Sequence, residues 1–469
     1  MIKEGITEVG GWAFDRCRNV ESISLPSTLT YIGHASFRYC DRLTSVTLPE
    51  NLGYLGQMVF EGCPLESIYI PASLTKINFN PFMDCPFLTS MTVSTDNPVY
   101  DSRDNCNAIV ETATNKIVSA CNNTVIPSTV TEIGTSAYNQ ASITEIVIPY
   151  GVKTIGGWAF EYCRDLTSVT LPESLTTIGG YAFSYTAITS ITLPESVSSV
   201  QNGAFRNSAL QSITFPREIN YLGDGIFENC QSLETIVLPD TLPEGEELSE
   251  AFLIRLGVTK LSDPLWVKQV GQWYCFAPDE DGKTEMQTGW VEIDGVNYYF
   301  DDDGVMGKGW MKISDDWYYF SSGGVMRTGW QKISNKWYYF NESGVMQTGW
   351  KKISNKWYYF NNSGAMQTGW KQISGKWYYF DGSGAMQTDW QKISDKWYYF
   401  NNSGVMQTGW IQLSGSWYYL NSSGAMQTGW LKLGNNWYYF KSSGVMVTGS
   451  LKIGSKTYNF NSSGVCLNP

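Results

Sequence analysis

From Trp290 onward the sequence repeats itself every 20 residues, and this period limits the fold more than any other feature. A typical copy holds two tryptophans, Trp370 and Trp377, and closes with a turn that contains Gly384. Two short apolar segments joined by a tight turn predict a β-hairpin. Because one hairpin is only marginally stable in water, we expect the copies to stack as a solenoid. Copies begin at Trp290, Trp310, Trp330, Trp350, Trp370, Trp390, Trp410 and Trp430.

Two imperfect copies extend this region to residues 266–469. An earlier copy holds Trp266 and Trp273 and carries an insertion of four residues near residues 279–283. The last copy has Ser450 and Thr457 where tryptophan is expected. We assign both copies to the same β-hairpin solenoid.

A different period, of 22–23 residues, runs through residues 1–242. In one copy the apolar residues Leu166, Val169 and Leu171 predict a short strand, which Pro172 ends. The preceding Ile-Gly-x-x-Ala-Phe-x-x-Cys segment predicts a tight turn and one helical turn. One such unit cannot bury its own apolar side chains, so we expect the units to stack as well. The sequence therefore predicts a mainly β chain made of two solenoids.

Two segments depart from the repeats. Residues 95–125 break the period and predict a hairpin in which Val110 faces Ile117 and Cys106 faces Cys121. A disulfide between these two cysteines is one interpretation, although cross-strand cysteines can be too poorly oriented to close. Residues 243–265 begin with an acidic run and include a stretch that predicts a short helix. We interpret them as a linker between the solenoids.

Six other cysteines share one position of the first repeat. Thr186 and Ser208 take that position in other copies, which favours a small buried side chain over a metal ligand or a disulfide. The paired C-x-x-C pattern of zinc sites is missing, and we predict no metal site. The six are Cys17, Cys40, Cys63, Cys85, Cys163 and Cys230.

Composition and motifs argue against several functions. The net charge of −12 is unfavourable for binding nucleic acid. His34 is the single histidine, which excludes His triads, and no G-x-S-x-G or P-loop motif occurs, so we predict neither an enzyme nor a bound cofactor. No apolar run reaches the ~18 residues of a membrane span. No signal peptide follows Met1, but the first residues align with the middle of a later repeat, so we expect an export signal upstream and a secreted, cell-surface location.

The aromatic residues of the 20-residue repeat indicate a binding surface. Aromatic residues make up 15% of the chain, and 19 of them are tryptophan. Packing alone favours Leu, Ile and Val, which have no polar N–H to satisfy. Tryptophan has the strongest π-face for cations, and a quaternary ammonium, which cannot donate a hydrogen bond, fits a cage of such faces. The repeated tryptophans therefore favour binding of a cation.

Both repeats resemble known families. The first, with its proline and Phe-x-x-Cys spacing, is similar to the BspA-like leucine-rich repeats of bacterial surface proteins. The second, with Gly-Trp-x5-6-Trp-Tyr-Tyr-Phe-x3-Gly-x-Met-x-Thr, resembles the choline-binding, or cell-wall-binding, repeats of Gram-positive surface proteins. The resemblance implies that the second array attaches non-covalently to choline of teichoic acid or a related envelope polymer. It implies that the leucine-rich repeats present an adhesive surface to a protein or glycan partner.

The second resemblance also implies site residues. In that family two tryptophans of one repeat and a tyrosine of the next enclose choline, with a methionine nearby, which in the first set would be Met326. Asn297 replaces the second tryptophan of the Trp290 copy, so a cage there with Tyr318 is doubtful. The complete sets are Trp310, Trp317, Tyr338; Trp330, Trp337, Tyr358; Trp350, Trp357, Tyr378; Trp370, Trp377, Tyr398; Trp390, Trp397, Tyr418; Trp410, Trp417, Tyr438; and Trp430, Trp437, Tyr458.

Two alternatives remain open at this stage. Similar 20-residue repeats occur in glucan-binding domains and in large clostridial toxins, where aromatic residues stack on sugars, and the Trp290 copy resembles those repeats more closely. In that case the whole protein is a carbohydrate-binding adhesin. The aromatic residues could instead serve only to hold the solenoid together. Asp389 replaces the usual glycine before Trp390, and either an altered backbone or an added carboxylate beside a cation is expected there.

Overall fold

The computed structural model describes residues 1–258, 263–279 and 283–469 of the chain. It divides into two compact units, Met1–Gly307 and Lys308–Pro469. The regular structure is almost entirely β, as predicted. The described residues contain one α-helix, Glu250–Arg255, and one 3-10 helix, Arg103–Asn105. None of the helices among these residues has both the length and the apolar character needed to cross a membrane.

The first unit is a solenoid held together by two rows of parallel strands. In one row a strand of each repeat pairs with that of the next, for example Thr154–Ile155 with Thr177–Ile178. The first row comprises Glu8–Val9, Tyr31–Ile32, Tyr54–Leu55 and Lys76–Ile77, and then Lys116–Ala120, Glu132–Ile133, Thr154–Ile155, Thr177–Ile178, Ser199–Val200 and Tyr221–Leu222. The second row comprises Ser67–Ile70, Ser90–Val93, Glu145–Val147, Ser168–Thr170, Ser190–Thr192, Ser212–Thr214, Thr235–Val237 and Leu265–Gln269.

Aromatic rings and thiols fill the interior of this solenoid. The buried rings of Phe160 and Phe183 are nearly parallel, with centroids 5.3 Å apart. The Cys163 thiol donates to the Tyr138 carbonyl of the preceding repeat at 3.1 Å. Burial raises the pKa of Cys163 to about 12, so the thiol keeps the proton that it donates. The shared cysteine position therefore holds a small buried side chain here, as predicted from its replacement by serine and threonine.

The predicted helical turn before each Phe-x-x-Cys is wrong. Trp158 and Tyr162 have φ of 55° and 60°, which no right-handed helix contains. The Trp158 N–H instead donates to the Gly180 carbonyl of the next repeat at 2.8 Å, and the Phe160 N–H donates to the Ala182 carbonyl at 2.8 Å. Alternate N–H groups thus bond to the next repeat, while those of Ala159 and Glu161 bond within the turn to the Gly156 and Trp158 carbonyls. All of these groups are satisfied without a helix.

The predicted hairpin at residues 95–125 exists, but its two cysteines do not face each other. Ala108–Glu111 pairs with Lys116–Ala120, and Val110 lies opposite Ile117 as expected. A bulge between Ile109 and Val110 shifts the register by one residue before Cys106 is reached. Since a shift of one residue reverses the side chains, Cys106 and Cys121 pack into different core clusters. Both thiols are free in the structure.

The described parts of the predicted linker, residues 243–258 and 263–265, pack on the first solenoid. The predicted helix begins after Ser249, whose hydroxyl accepts the Phe252 N–H, and it buries Phe252 and Leu253. Its end accepts hydrogen bonds from the preceding repeat, including Phe227 N–H to the Leu256 carbonyl at 2.8 Å. The strand Leu265–Gln269 then pairs with Thr235–Val237. The acidic run therefore covers a continuing core, and parts of this segment and of the insertion, residues 259–262 and 280–282, lie outside the described residues.

The first unit also contains the first hairpins of the aromatic repeat. Gln272–Pro278 pairs antiparallel with both Leu265–Gln269 and Thr284–Met286, so the earliest copy of that repeat extends the leucine-rich sheet. A separate hairpin follows, Gly289–Ile293 with Val296–Phe300. The first solenoid also contains Tyr100–Asp101, which pairs with Ala108–Glu111. The compact units divide between residues 307 and 308, and the predicted division by repeat family at residue 265 stays a prediction.

The second unit is a series of two-stranded hairpins, as predicted. Each hairpin buries the phenylalanine or leucine at the end of its second strand, such as Phe380. The hairpins are Gly309–Ile313 with Asp316–Phe320, Gly329–Ile333 with Lys336–Phe340, Gly349–Ile353 with Lys356–Phe360, Gly369–Ile373 with Lys376–Phe380, Asp389–Ile393 with Lys396–Phe400, Gly409–Leu413 with Ser416–Leu420, Gly429–Leu433 with Asn436–Phe440, and Gly449–Ile453 with Lys456–Phe460.

Candidate functional site

The hairpin register puts the two tryptophans of a repeat on one face. Trp370 pairs with Tyr379, and Gln372 pairs with Trp377. Because side chains alternate along a strand, Trp370 and Trp377 share a face, whereas Tyr378 belongs to the other. Stacking brings that other face of the next hairpin, which carries Tyr398, against the two tryptophans.

All seven predicted sets of two tryptophans and a tyrosine come together with nearly constant geometry. The two tryptophan rings lie 6.2–6.5 Å apart, with planes at 80–87°. The first tryptophan and the tyrosine of the next repeat lie 4.8–5.1 Å apart, with planes at 59–72°. Two perpendicular indoles and a tilted phenol form three walls of a concave corner, which we call an aromatic cage.

The cages are open to solvent. The second tryptophan of each set is 36–43% exposed, whereas Phe380 and its equivalents from Phe320 to Phe460 are buried. The buried phenylalanines thus supply the apolar packing between hairpins, and the second tryptophans are not needed for it. This division argues against a purely structural role for the aromatic residues.

The methionine beside the cages comes from a different repeat than predicted. In the seventh cage Cys466 takes its place, and its N–H donates to the Trp437 carbonyl at 2.8 Å. The cage of Trp370, Trp377 and Tyr398 has a volume of about 310 Å³ and is also lined by Met406. The Met406 N–H donates to the Trp377 carbonyl at 2.8 Å, and Met346 makes the same bond to Trp317. The first cage therefore takes Met346 rather than Met326.

The rim of the cage is completed by the turn of the repeat that follows the one with Met406. Ser422 and Ser423 line the same cage, so three consecutive repeats contribute to one site. Met406 packs against Gly424, where a Cβ atom would collide with the methionine sulfur. These residues lie about two repeats after Trp370 in the sequence, so the sequence analysis did not place them beside it.

The cage at Trp370 contains no charged side chain among its lining residues. A cation there would be held by π-faces and by the methionine sulfur instead of by an ion pair. A quaternary ammonium suits such a cage, because it needs no hydrogen-bond acceptor. At the neighbouring cage the exposed Asp389 keeps the backbone unaltered, with φ of 64° where Gly369 has 67°. The expected alteration of the backbone is therefore not found.

An eighth set lies in the first unit and was not among the predicted sites. Trp266 lies 6.5 Å from Trp273 at 81° and 5.1 Å from Tyr298 at 59°. Met306 donates its N–H to the Trp273 carbonyl at 2.8 Å. The four-residue insertion in this copy lengthens the spacing between Trp273 and Tyr298. Aligning the copy with the insertion removed would have identified Tyr298 as the tyrosine of this set. That the Trp290 copy forms no cage with Tyr318, because Asn297 replaces its second tryptophan, stays a prediction.

Comparison with protein families agrees with both resemblances. Residues 1–89 and 131–248 match the BspA type leucine rich repeat region in six copies. Overlapping matches to the choline-binding repeat run from residue 287 to residue 467. The chain therefore combines BspA-type leucine-rich repeats with choline-binding repeats, which are modules of cell-surface association. Trp266 and Trp273 of the eighth set lie before residue 287, where the matches to the choline-binding repeat begin.

Three solved structures of pneumococcal proteins are similar to part of this chain. CbpJ from Streptococcus pneumoniae TIGR4 is 37% identical, over 42% of this chain and 76% of its own, with a TM-score of 0.38. Choline binding protein F from Streptococcus pneumoniae, in the presence of a peptidoglycan analogue, is 34% identical over 42% of this chain and 76% of its own, with a TM-score of 0.37. The modular autolysin LytC from Streptococcus pneumoniae, with a synthetic peptidoglycan ligand, is 30% identical over 42% and 46%, with a TM-score of 0.29. Among curated protein sequences, none matches the chain.

Proposed function

We propose that the protein is secreted and anchors itself to the cell envelope through choline. The choline-binding repeats hold choline groups of teichoic acid or a related polymer, and the leucine-rich repeats present a surface to a protein or glycan partner. In this proposal the protein is a binding protein without enzymatic activity. The observation that carries it is the recurrence of one open aromatic cage in seven consecutive positions.

The cage chemistry supports choline over other cations. A primary ammonium keeps its hydrogen-bond donors and loses free energy where no acceptor replaces water. The trimethylammonium group of choline has no such donors, and its methyl groups match the indole and phenol faces of Trp370, Trp377 and Tyr398. The rim residues Ser422 and Ser423 stand where the hydroxyl or phosphodiester end of the ligand would extend.

Repetition supports attachment to a polymer. A desolvated cation–π contact contributes about 0.5–2 kcal/mol, so three walls give on the order of 4 kcal/mol. This corresponds to roughly millimolar affinity for a single cage. Several cages engaged on one polymer chain raise the avidity by roughly 10²–10⁴. A free choline molecule should therefore release the protein only at millimolar concentrations.

The proposal is tested by retention of the full chain on an immobilised quaternary amine. We expect binding that millimolar choline reverses and equal concentrations of sodium chloride do not. A variant with leucine at all seven second tryptophans (Trp317, Trp337, Trp357, Trp377, Trp397, Trp417 and Trp437) should lose retention, since leucine keeps apolar area without a π-face.

A matched variant sharpens the test. Phenylalanine at the same seven positions keeps a π-face of smaller area and should retain partial binding. If the leucine variant binds as well as the unchanged protein, the cages are not the site. If the chain passes through the amine column but is held by an α-glucan column, the carbohydrate-binding alternative replaces the choline proposal.

A further inference from the structure

The turns of the leucine-rich solenoid carry an open groove that the aromatic cages do not explain. It has a volume of about 460 Å³ and extends over five consecutive repeats, from Thr135 to Tyr221. This volume lies within the roughly 300–1,000 Å³ of ligand sites. All of its residues belong to the first compact unit.

Two exposed aromatic side chains border this groove, and a third lies between the repeats. Trp158 is 44% exposed and Tyr221 is 49% exposed. The rings of Trp158 and Tyr181 are nearly parallel, at 6°, with centroids 5.8 Å apart. Large apolar surfaces of this kind are normally buried. The stacked rings of Trp158 and Tyr181 form an aromatic strip along the groove, and Tyr221 adds a further ring at its far end.

The backbone at this strip does not call for aromatic residues. Trp158 and Tyr181 have φ of 55° and 57°, a region that is unfavourable for bulky side chains. The same turn position holds Ser136, Gly203 and Gly225 in neighbouring repeats. Small residues thus satisfy the turn, so the backbone does not account for the bulky rings of Trp158 and Tyr181.

Glycines line the floor of the groove. Gly157 and Gly180 lie at the position where the adjacent repeats have Thr135 and Asn202. A Cβ atom at Gly157 would lie 3.3 Å from the Gly180 carbonyl oxygen, and one at Gly180 would lie 3.2 Å from the Asn202 carbonyl oxygen. The two glycines therefore let the backbones of successive repeats approach closely beneath Trp158 and Tyr181.

The polar groups of the groove are fixed and uncharged. The Asn202 side-chain carbonyl accepts the Tyr221 hydroxyl at 3.2 Å and the Asp224 N–H at 3.1 Å. This orientation turns the Asn202 amide NH₂ away from both donors, and within the described residues it donates to no protein group. Gln201 supplies a second exposed amide. No residue that lines the groove is charged.

The geometry points to a neutral glycan as the ligand of this groove. A pyranose ring has an apolar C–H face, which stacks on an aromatic strip, and hydroxyl groups, which bond to amides. Without a charged residue the groove has nothing to select an acidic or cationic ligand. Five repeats at about 4.8 Å per step span roughly 19 Å, enough for more than one sugar ring. This inference names the ligand class for the surface that the proposed function gives to the leucine-rich repeats.

An array of immobilised neutral and acidic glycans, probed with the full chain, tests the inference. The experiment is done in saturating choline, so that the cages are occupied and cannot capture sugars. We expect binding to one class of neutral glycan, measured again by titration with the corresponding soluble oligosaccharide. Failure of choline binding would leave this result unchanged, so the two proposals fail separately.

Matched variants locate the binding. Trp158→Ala should weaken it about tenfold or more, as for an aromatic anchor, and Ala35 already occupies the same turn position at φ of 51°. Gly180→Asn fills the floor with the residue of the next repeat and should abolish binding while all the aromatic residues remain. Trp12→Ala removes a 58% exposed tryptophan from the same turn position outside the groove and should change nothing. Binding only to acidic glycans, no glycan binding, or equal loss in Trp12→Ala would overturn the inference.

Discussion

The two repeat arrays use aromatic side chains in opposite ways. In the leucine-rich solenoid Phe183 is fully buried and stacks between Phe160 and Phe205 at 5.3 and 5.6 Å. In the choline-binding repeats a phenylalanine such as Phe380 is buried, but Trp377 in the same strand is 42% exposed. Ring stacking therefore builds a core in one array and an open binding surface in the other.

The difference extends to what joins one repeat to the next. Leucine-rich repeats share rows of parallel strands, whereas the hairpins of the second unit form separate two-stranded sheets. Between those hairpins, bonds such as Met406 N–H to the Trp377 carbonyl accompany side-chain packing. The second unit depends more on contacts at its cages, so its stability should respond more to a ligand that fills them.

The largest expected effect is a selective stabilisation of the second unit by choline. At about one hundred times its dissociation constant, a ligand adds roughly 2.7 kcal/mol per occupied site. Seven cages lie in the second unit and the Trp266 set lies in the first. Calorimetry of the full chain should therefore show one unfolding transition that moves strongly with choline and one that moves little.

Ethanolamine is the control ligand, because it lacks the methyl groups that contact the π-faces. Equal shifts of both transitions, or equal shifts by choline and ethanolamine, would contradict the contrast between the two units.

Removing a core ring should affect the first unit next most strongly. Phe183→Ala deletes a fully buried ring and should lower the free energy of unfolding by about 3–5 kcal/mol. Trp158→Ala removes a half-exposed ring and should cost far less. Chemical denaturation of the first transition measures both, and a loss from Trp158→Ala as large as that from Phe183→Ala would show that the exposed strip is part of the core.

A smaller effect is expected at the eighth set. Trp273→Leu should remove one choline site and reduce the binding stoichiometry by one, with a loss of about 1–2 kcal/mol at that site. Trp377→Leu is the matched change in the second unit and should reduce the stoichiometry equally. Isothermal titration separates the outcomes, because an unchanged stoichiometry in Trp273→Leu would mean that the first unit holds no cage.

The regular parts of both arrays were predictable from sequence because their periods report directly on packing. The strict 20-residue period predicted one hairpin in each copy, and a lone hairpin must stack on the next copy to be stable. The seven sets followed from the family resemblance. Even a contact between residues 28 positions apart, such as Trp370 with Tyr398, was therefore predicted.

The errors occurred where local sequence and tertiary packing favour different structures. The helical turn was wrong because N–H groups such as that of Trp158 bond to the next repeat. A single bulge at Ile109 separated Cys106 from Cys121. The acidic run before the predicted helix favoured a linker, but the helix packs Phe252 into the core of the first solenoid. In each case the deciding partner is distant in the sequence, and local patterns carry no information about it.

The smallest expected effect concerns one position at which the hairpins differ. Asp389 has φ of 64°, whereas Gly369 and the equivalent residues of the other hairpins are glycines with φ of 67–78°. An ordinary residue in this conformation costs roughly 1–2 kcal/mol, while a glycine loses roughly 0.5–1 kcal/mol more backbone entropy on folding. Asp389→Gly should therefore stabilise the second unit by less than about 1 kcal/mol, the small net of these two terms. The reverse change, Gly369→Asp, should destabilise it by a similar amount.

Denaturation of both variants, without and with choline, also tests the role of the Asp389 carboxylate. If the carboxylate contributes to the cation site, choline affinity at that cage falls in Asp389→Gly and rises in Gly369→Asp.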